Sequence, residues 1–501
     1  MYCVNGEDDN FKLYNTTVYQ VGIDPPDSKP TVGVGSGTGL TGTYQYKYTY
    51  KRDTEALEGN PSPVSDEVTV SDEDVDVTVV ASSDTQVDKI VIYRTLNLDS
   101  GGDSTQFYKV DEVENSDQTY TDSASDNDVT TLVSDNHTVP PKAKFVKLHN
   151  DRMFYISCPD ETDGESMVMW SLVGIPEAVP SSNYQYFDRK DGEEITGVAS
   201  LGEQLVIFKP NKISVLSGNF DELYTVSRTI GSISGYSILE FKDNIVFLSE
   251  DGWKAYDGVN ISDISDRLRA LDEAGYFTPA ESDNYDAVYY PLKKQMMFLI
   301  NHSSLAEYVM VGHWIVPLMA EVKIEDLSQD YVGWTYFQYE SLDLSCLGAY
   351  TDDEGLRRPL AGGEDGYLYR LDSGAQDDGS DINFRFETGF RPLGQDPTTI
   401  FTLREVTIMF QSGTAGGLEF NVDVDNVHDV SVFETVTGGE AYAGSCYAGE
   451  IYCGMSGLNI ESFNVNAMGR LFQVGLDVTT SNTFTLAGLS GALRPEAKRP
   501  S

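Results

Sequence analysis

Three features of this 501-residue sequence predict an all-β fold. Val, Tyr, Thr, Phe and Ile recur in short runs that Gly, Asp, Asn and Pro interrupt, the pattern of strands joined by tight turns. Thirty tyrosines and 45 glycines suit sheets and suit helical bundles badly. From Lys144 onward a strand–turn–strand unit returns roughly every 45–60 residues, as stacked sheets do. The length corresponds to about three domains. Hydrophobic residues at 40% and aromatics at 11% are enough to fill their cores. The predicted architecture is a β-propeller-like central domain with an inserted β-sandwich, followed by a C-terminal β-sandwich.

Residues 1–31 are read as N-terminal strands that close the propeller, with Phe11–Val21 strand-like and ended by the run DPPDSKP. Residues 32–138 form the inserted sandwich. It opens on a Gly-rich stretch, Val32–Leu40, read as a flexible joint. Within it, Gly37, Gly39 and Gly42 have the GxGxxG spacing of a dinucleotide site. That motif needs a following helix whose N-terminus faces the pyrophosphate. Here Thr43–Tyr50 alternates as a strand instead, with Tyr44, Tyr46, Tyr48 and Tyr50 on one face, so no cofactor is expected. The turn Glu58–Pro63 and the runs Glu67–Val70, Val75–Val80, Lys89–Thr95, Phe107–Val113 and Thr119–Thr121 supply the remaining strands.

Residues 139–381 follow the linker Asp135–Pro141 and hold five copies of the repeated unit. They begin at Lys144–Ile156, at Ile195–Phe208 with Lys212–Leu216, and at Leu239–Leu248 with Gly252–Gly258. The last two are Tyr285–Tyr290 with Gln295–Ile300 and Trp314–Val316, and Ser345–Tyr350 with Asp365–Leu371. A blade cannot bury both faces alone, so neighbours must stack. One short helix is predicted at Ser265–Glu273, capped by Ser265. In residues 382–501 the repeat fades into longer strands, at Asn383–Phe390, Thr402–Phe410, Leu418–Val424 and Phe472–Val478, before a basic tail.

Charge narrows the function. Lys and Arg number 34 against 80 Asp and Glu, 48 of them Asp, a formal charge of −46. Such a surface repels phosphate backbones and anionic membranes, so neither nucleic-acid binding nor membrane insertion is expected. No apolar run is long enough to cross a bilayer as a helix, and MYCVNGEDDN has no feature of a secretory leader. The acids are spread along the chain, as in a protein adapted to concentrated salt, where the Debye length of about 3 Å at 1 M screens self-repulsion.

The sequence of the sandwich, from the GTYQYKYTY strand through EGNPSPVS and VDKIVIYRT to TYTDSASD, resembles the fibronectin-III-like insertion common in tail proteins of tailed viruses. The central segment resembles the propeller-bearing tail nozzle or hub proteins of short-tailed viruses (podoviruses). The matching positions are Arg152, Phe208, Lys209, Gly218, Gly231, Ser234, Gly235, Ser237, Ser249–Gly252, Tyr256–Gly258, Ser262 and Ser265, with Gly362–Ile382 downstream. This resemblance implies a structural virion protein in the viral tail. Its subunits would form a homo-oligomeric ring, commonly a hexamer, at the distal end of the tail. The genomic DNA passes through such a ring during genome ejection without tight binding, and other tail proteins (an adaptor, fibres or spikes) attach to it. None of the matching residues is catalytic in that family. With the acidity, a halophilic and first of all haloarchaeal host follows.

The alternatives are a host-surface adhesin and, further off, a propeller-fold glycoside hydrolase. Carboxylate pairs such as Asp251 with Asp257, or Glu364 with Asp365, are expected by chance among 80 acids, and both sit in turns that use Asp and Gly for geometry. His137, His149, His302, His313 and His428 fall in no HExxH, and no GxSxG occurs. Asp377–Asp381 is an acidic turn whose oxygens could hold Ca²⁺, a hard cation, although EF-hand spacing is absent. Cys446 and Cys453, with Cys3, Cys158 and Cys346 elsewhere, make neither a zinc signature nor a disulfide framework. The sequons at Asn15, Asn136, Asn260 and Asn301 would permit surface glycans. Catalytic, cofactor and metal residues are therefore expected to be absent, and the chain is read as no enzyme.

Overall fold

The tyrosine stripe organises the inserted sandwich. Tyr44, Tyr46, Tyr48 and Tyr50 are all buried, although the chain breaks at Gln45 into two strands, Leu40–Tyr44 and Tyr46–Arg52. The second lies in a four-stranded antiparallel sheet between Lys89–Arg94 and Leu57–Glu58, with Tyr108–Glu114 at the far edge. Facing it, Val75–Val79 pairs with both Gln118–Asp122 and Thr31–Val34. Alternate residues of these sheets, among them Val75, Val77, Val79, Ile90 and Ile92, meet in one core with the tyrosines. Arg94 ends the apolar strand fully buried, bonded to Asp122 at 3.3 Å and Asp126 at 2.9 Å, and Tyr46 donates to Asp122 at 2.9 Å.

In this computed structural model the chain is described except for residues 56, 218–219, 221, 265–284, 301–307, 316–330, 339–343, 372, 375, 378–379, 388–390, 393–398, 413–415, 426, 437–457, 481–483 and 496–501. It divides into two compact units, Met1–Tyr369 and Arg370–Ser501. The predicted helix at 265–273 lies outside the described residues, among which there is no α-helix.

Each predicted repeat is a separate antiparallel meander. Four have four strands, beginning at Phe145–His149, Gly197–Leu201, Leu239–Phe241 and Tyr285–Tyr290. The fifth has three, Leu344–Thr351, Arg357–Gly363 and Leu368–Arg370. Apolar faces of successive sheets join in shared cores. Phe154 and Ile156 of the first meet Leu205 and Ile207 of the second. Val206 and Phe208 meet Ile245 and Phe247 of the third. Val246 and Trp253 meet Met296 and Phe298 of the fourth. Asp286, half-buried in the fourth, accepts the Leu347 amide of the fifth at 2.7 Å. The molecule is all-β, with a propeller-like succession of sheets.

Two details depart from the sequence reading. Phe11–Val21 is not one strand: Phe11–Tyr14 and Thr17–Gln20 form a hairpin, reversed at Asn15 and Thr16 with φ of 45° and 71°. With Tyr2–Cys3 it makes its own three-stranded sheet, whose strands pair only with one another among the described residues. The Gly-rich stretch is not a loose joint either. Thr31–Val34 is a sandwich strand, and the glycines that follow are closely packed. A Cβ on Gly39 would lie 3.0 Å from the Ser123 carbonyl, and one on Gly42 (φ 131°) 2.1 Å from the Asn97 side chain. Close approach, not freedom, requires glycine here.

In Arg370–Ser501, one sheet is built around Leu471–Thr480, paired with Ser380–Glu387 and Gly416–Val424. A second sheet places Phe401–Ser412 between Leu458–Gly469 and Phe484–Pro495. Leu403, Val406, Val465 and Ala467 of the second share a core with Phe420, Val422, Phe472 and Leu476 of the first, which makes this unit a sandwich.

Candidate functional site

Several residues that carry the resemblance, Lys209, Gly231, Gly235 and Ser237 among them, sit at the joints between repeat sheets. Lys209 closes the strand Gln204–Lys209, and its side chain is only 3% exposed. Its ammonium donates to the Ser166 hydroxyl at 3.0 Å, the Asp191 carboxylate at 3.0 Å, and the carbonyls of Asp188 at 3.2 Å and Glu193 at 2.9 Å. All of these belong to the first repeat or the segment leaving it. Burial alone would raise the Asp191 carboxyl. Hydrogen bonds from Lys212, Lys209 and the Glu193 amide outweigh it and hold that carboxyl at about 2. A buried cation with this many acceptors ties the second sheet to the first.

The Gly231–Ser237 segment crosses from the second sheet to the third. Ser232 N–H reaches the Lys209 carbonyl at 3.1 Å, and Ile233 N–H reaches Leu248 at 3.0 Å. The Ser237 hydroxyl donates to the Ser234 carbonyl at 2.7 Å and accepts the Leu248 amide at 3.3 Å. A Cβ on Gly231 would lie 1.9 Å from the Lys209 carbonyl, and one on Gly235 2.2 Å from that of Thr196. Both glycines are fixed by backbone-to-backbone approach. Arg152 donates to the Ser171 carbonyl at 2.7 Å and lies over Phe220, while Phe208 stacks on Phe247 at 5.0 Å.

The acidic positions are spent on turns. Glu250 and Asp251 form the two-residue loop of the hairpin that pairs Ser249 with Gly252, where φ is 119°. Asp251 and Asp263 both accept from the buried Lys254, at 3.0 and 2.8 Å. Asp257 accepts the amides of Asn260 at 2.6 Å and Val259 at 2.8 Å, which hold its carboxyl below the usual range. Tyr256 donates to the Gly258 carbonyl at 2.8 Å. Ser262 lies in the edge strand of this sheet; Gly218 and Ser265 are outside the described residues.

Of the carboxylate pairs weighed for hydrolysis, Asp251 and Asp257 do not come together. Asp251 and Asp257 stand at opposite ends of Gly252–Tyr256, roughly 20 Å apart at about 3.3 Å per residue, against the roughly 5–9.5 Å of glycosidase pairs. Asp365 accepts the Tyr369 hydroxyl and the Tyr367 amide, so its carboxyl is held low and is unsuited to a general acid.

His149 is a core histidine. Its Nδ1 faces the Ser200 hydroxyl at 3.1 Å, Nε2 faces the Glu203 carbonyl at 3.3 Å, and Phe154 and Phe220 meet it edge-on. Burial depresses its pKa. His137 ties the linker to the sandwich through the Glu58 carbonyl at 2.8 Å. Cys158 is buried and its thiol is pushed up to about 12, so it is inert. His302, Cys446, Cys453, Asn301 and Asp378 lie outside the described residues, as do the side chains of His313, His428, Asp377 and Asp381. Asn15, Asn136 and Asn260 are exposed.

Sequence reading missed the half-buried Asp286 and the buried Glu177, carboxylates that join neighbouring elements. Each looks like any other acid of an acidic chain. Arg94 did have a signal: a charge closing the apolar run Ile90–Tyr93.

No family model matches this chain, and no curated protein matches it in sequence. Among solved structures it is similar to the extracellular domain of a one-component system from B. thetaiotaomicron, with 10% identity and a TM-score of 0.27 over 68% of this chain and 41% of that one. PorZ, a surface component of the type-IX secretion system of Porphyromonas gingivalis, gives 13% identity and 0.24 over 68% of this chain and 43% of that one. A glycoside hydrolase family 43 arabinoxylan arabinofuranohydrolase from Bacillus subtilis gives 9% and 0.21 over 93% and 95%. The chain thus spans less than half the length of the first two. Likeness at these TM-scores carries no argument about function.

Proposed function

We propose that this chain is a structural subunit of a viral tail, one of a ring of copies at the distal end through which the genome passes. One observation carries the reading: of the positions on which the resemblance to tail nozzle proteins rests, Lys209, Gly231, Gly235, Ser237 and Asp257 are spent on sheet-to-sheet joints and tight turns. A scaffold needs such residues. The net charge of −46 agrees with it, because a conduit must not grip its cargo. Acidic walls release no counterions on meeting DNA, so the duplex slides.

The test is a titration of the purified chain with duplex DNA at moderate salt. The expected dissociation constant is weaker than about 10⁻⁴ M, the weak limit of ordinary non-specific binding. Micromolar or tighter binding contradicts the conduit.

A further inference from the structure

The loop between the last two strands of the first repeat, Leu172–Pro180, touches three parts of the chain at once. Ile175 packs against the sandwich core. The Val179 amide donates to the Thr138 carbonyl of the linker at 2.9 Å. Glu177, whose side chain is 4% exposed, receives the N-terminal sheet: Lys12 Nζ at 2.5 Å and Tyr2 Oη at 3.1 Å on one oxygen, and the Gly22 amide at 2.8 Å on the other. The loop is itself braced, since Leu172 N–H meets the Ala178 carbonyl at 2.9 Å and Tyr155 Oη meets that of Pro176 at 2.9 Å.

The N-terminal sheet in turn holds the sandwich. Arg52 lies over the rings of Tyr14 and Tyr19, and Gln86 Nε2 donates to the Gly22 carbonyl at 2.8 Å. Among the described residues that sheet shares no strand ladder with any other, so it can part from its neighbours without breaking one. The chain itself joins the sandwich to the first repeat through one segment without regular structure, residues 133–144, and to the N-terminal sheet through another, residues 21–30.

We infer that Leu172–Pro180 is a keystone that sets the pose of the inserted sandwich on the first repeat sheet, with Glu177 as the group that locks the N-terminal sheet across the joint. Glu177→Gln removes the negative charge from the buried Lys12–Glu177 pair, and breaking a buried pair from one side is costly. The sheet is then released as a strap, and the sandwich swings on the connector at residues 133–144. This inference rests on intrachain contacts and is independent of the conduit proposal.

The test is the full chain with spin labels at Ser104→Cys on the sandwich and Asp243→Cys on the third repeat, in a background with Cys3, Cys346, Cys446 and Cys453 changed to Ser. Pulsed electron resonance gives their distance, and hydrogen exchange is read over residues 1–22. The native chain should give one narrow distance. Glu177→Gln should broaden it and speed exchange in residues 1–22 at least about tenfold, with the repeat strands still protected. Lys12→Met should do the same and serves if Glu177→Gln folds poorly. A distance as narrow as native in both variants overturns the keystone. So does a loss of protection spread over all the repeat sheets, which marks the pair as ordinary core support.

Discussion

His149 shows how a single side chain reports on a sheet-to-sheet joint. It stands neutral between the first and second repeats, its pKa depressed by burial, with Lys147 pushing the same way and Glu240 opposing. The unfolded chain, with a histidine pKa of about 6.5, binds the proton more readily than the fold does. Stability at this group is therefore intact above that value and is lost as pH falls through it toward the folded pKa. Denaturant midpoints of the native and His149→Gln chains, compared between about pH 7 and pH 5 at constant salt, should draw together as the pH falls. A constant gap across that range would mean that His149 does not titrate in the joint. Every other titrating group is common to both chains, so the change in the gap between them isolates His149.

The strands and repeats were legible because their signals are local. Period-2 tyrosines buried one face of a strand, and Asp-Gly pairs marked turns whose positive φ falls on Gly252, Gly258 and Gly366. The hairpin at Asn15-Thr16 was missed because a β-branched residue rarely takes positive φ, and Asn-Thr lacks the glycine that usually announces such a turn. Gly39 and Gly42 were misread because the reasons for them, Ser123 and Asn97, lie far along the chain. The same logic makes the crossing segment testable. Gly235→Ala forces a methyl against the Thr196 carbonyl and should cost about 2–3 kcal/mol, within the range for overpacking. Gly202→Ala, with nothing within 4 Å but φ at 58°, should cost less, through backbone strain alone. Chemical denaturation of the two variants decides it; equal losses would mean that the joint is not tightly packed.

For the molecule as a whole, charge and architecture act together. With −46 spread along the chain, copies brought side by side repel strongly in dilute buffer. At molar salt the repulsion is screened to within about 3 Å and apolar contacts decide. Stacked sheets supply a rigid body for such contacts, and two sandwiches add further surface. The sequence alone carried this far because composition is a whole-chain property. It did not reveal the Glu177 joint, which depends on three segments meeting in space. The most direct measurement is solution mass by light scattering at about 2–3 M KCl and again at about 0.1 M. A closed assembly of about six copies at high salt, dissociating at low salt, is the predicted result. A monomer under both conditions would contradict the ring.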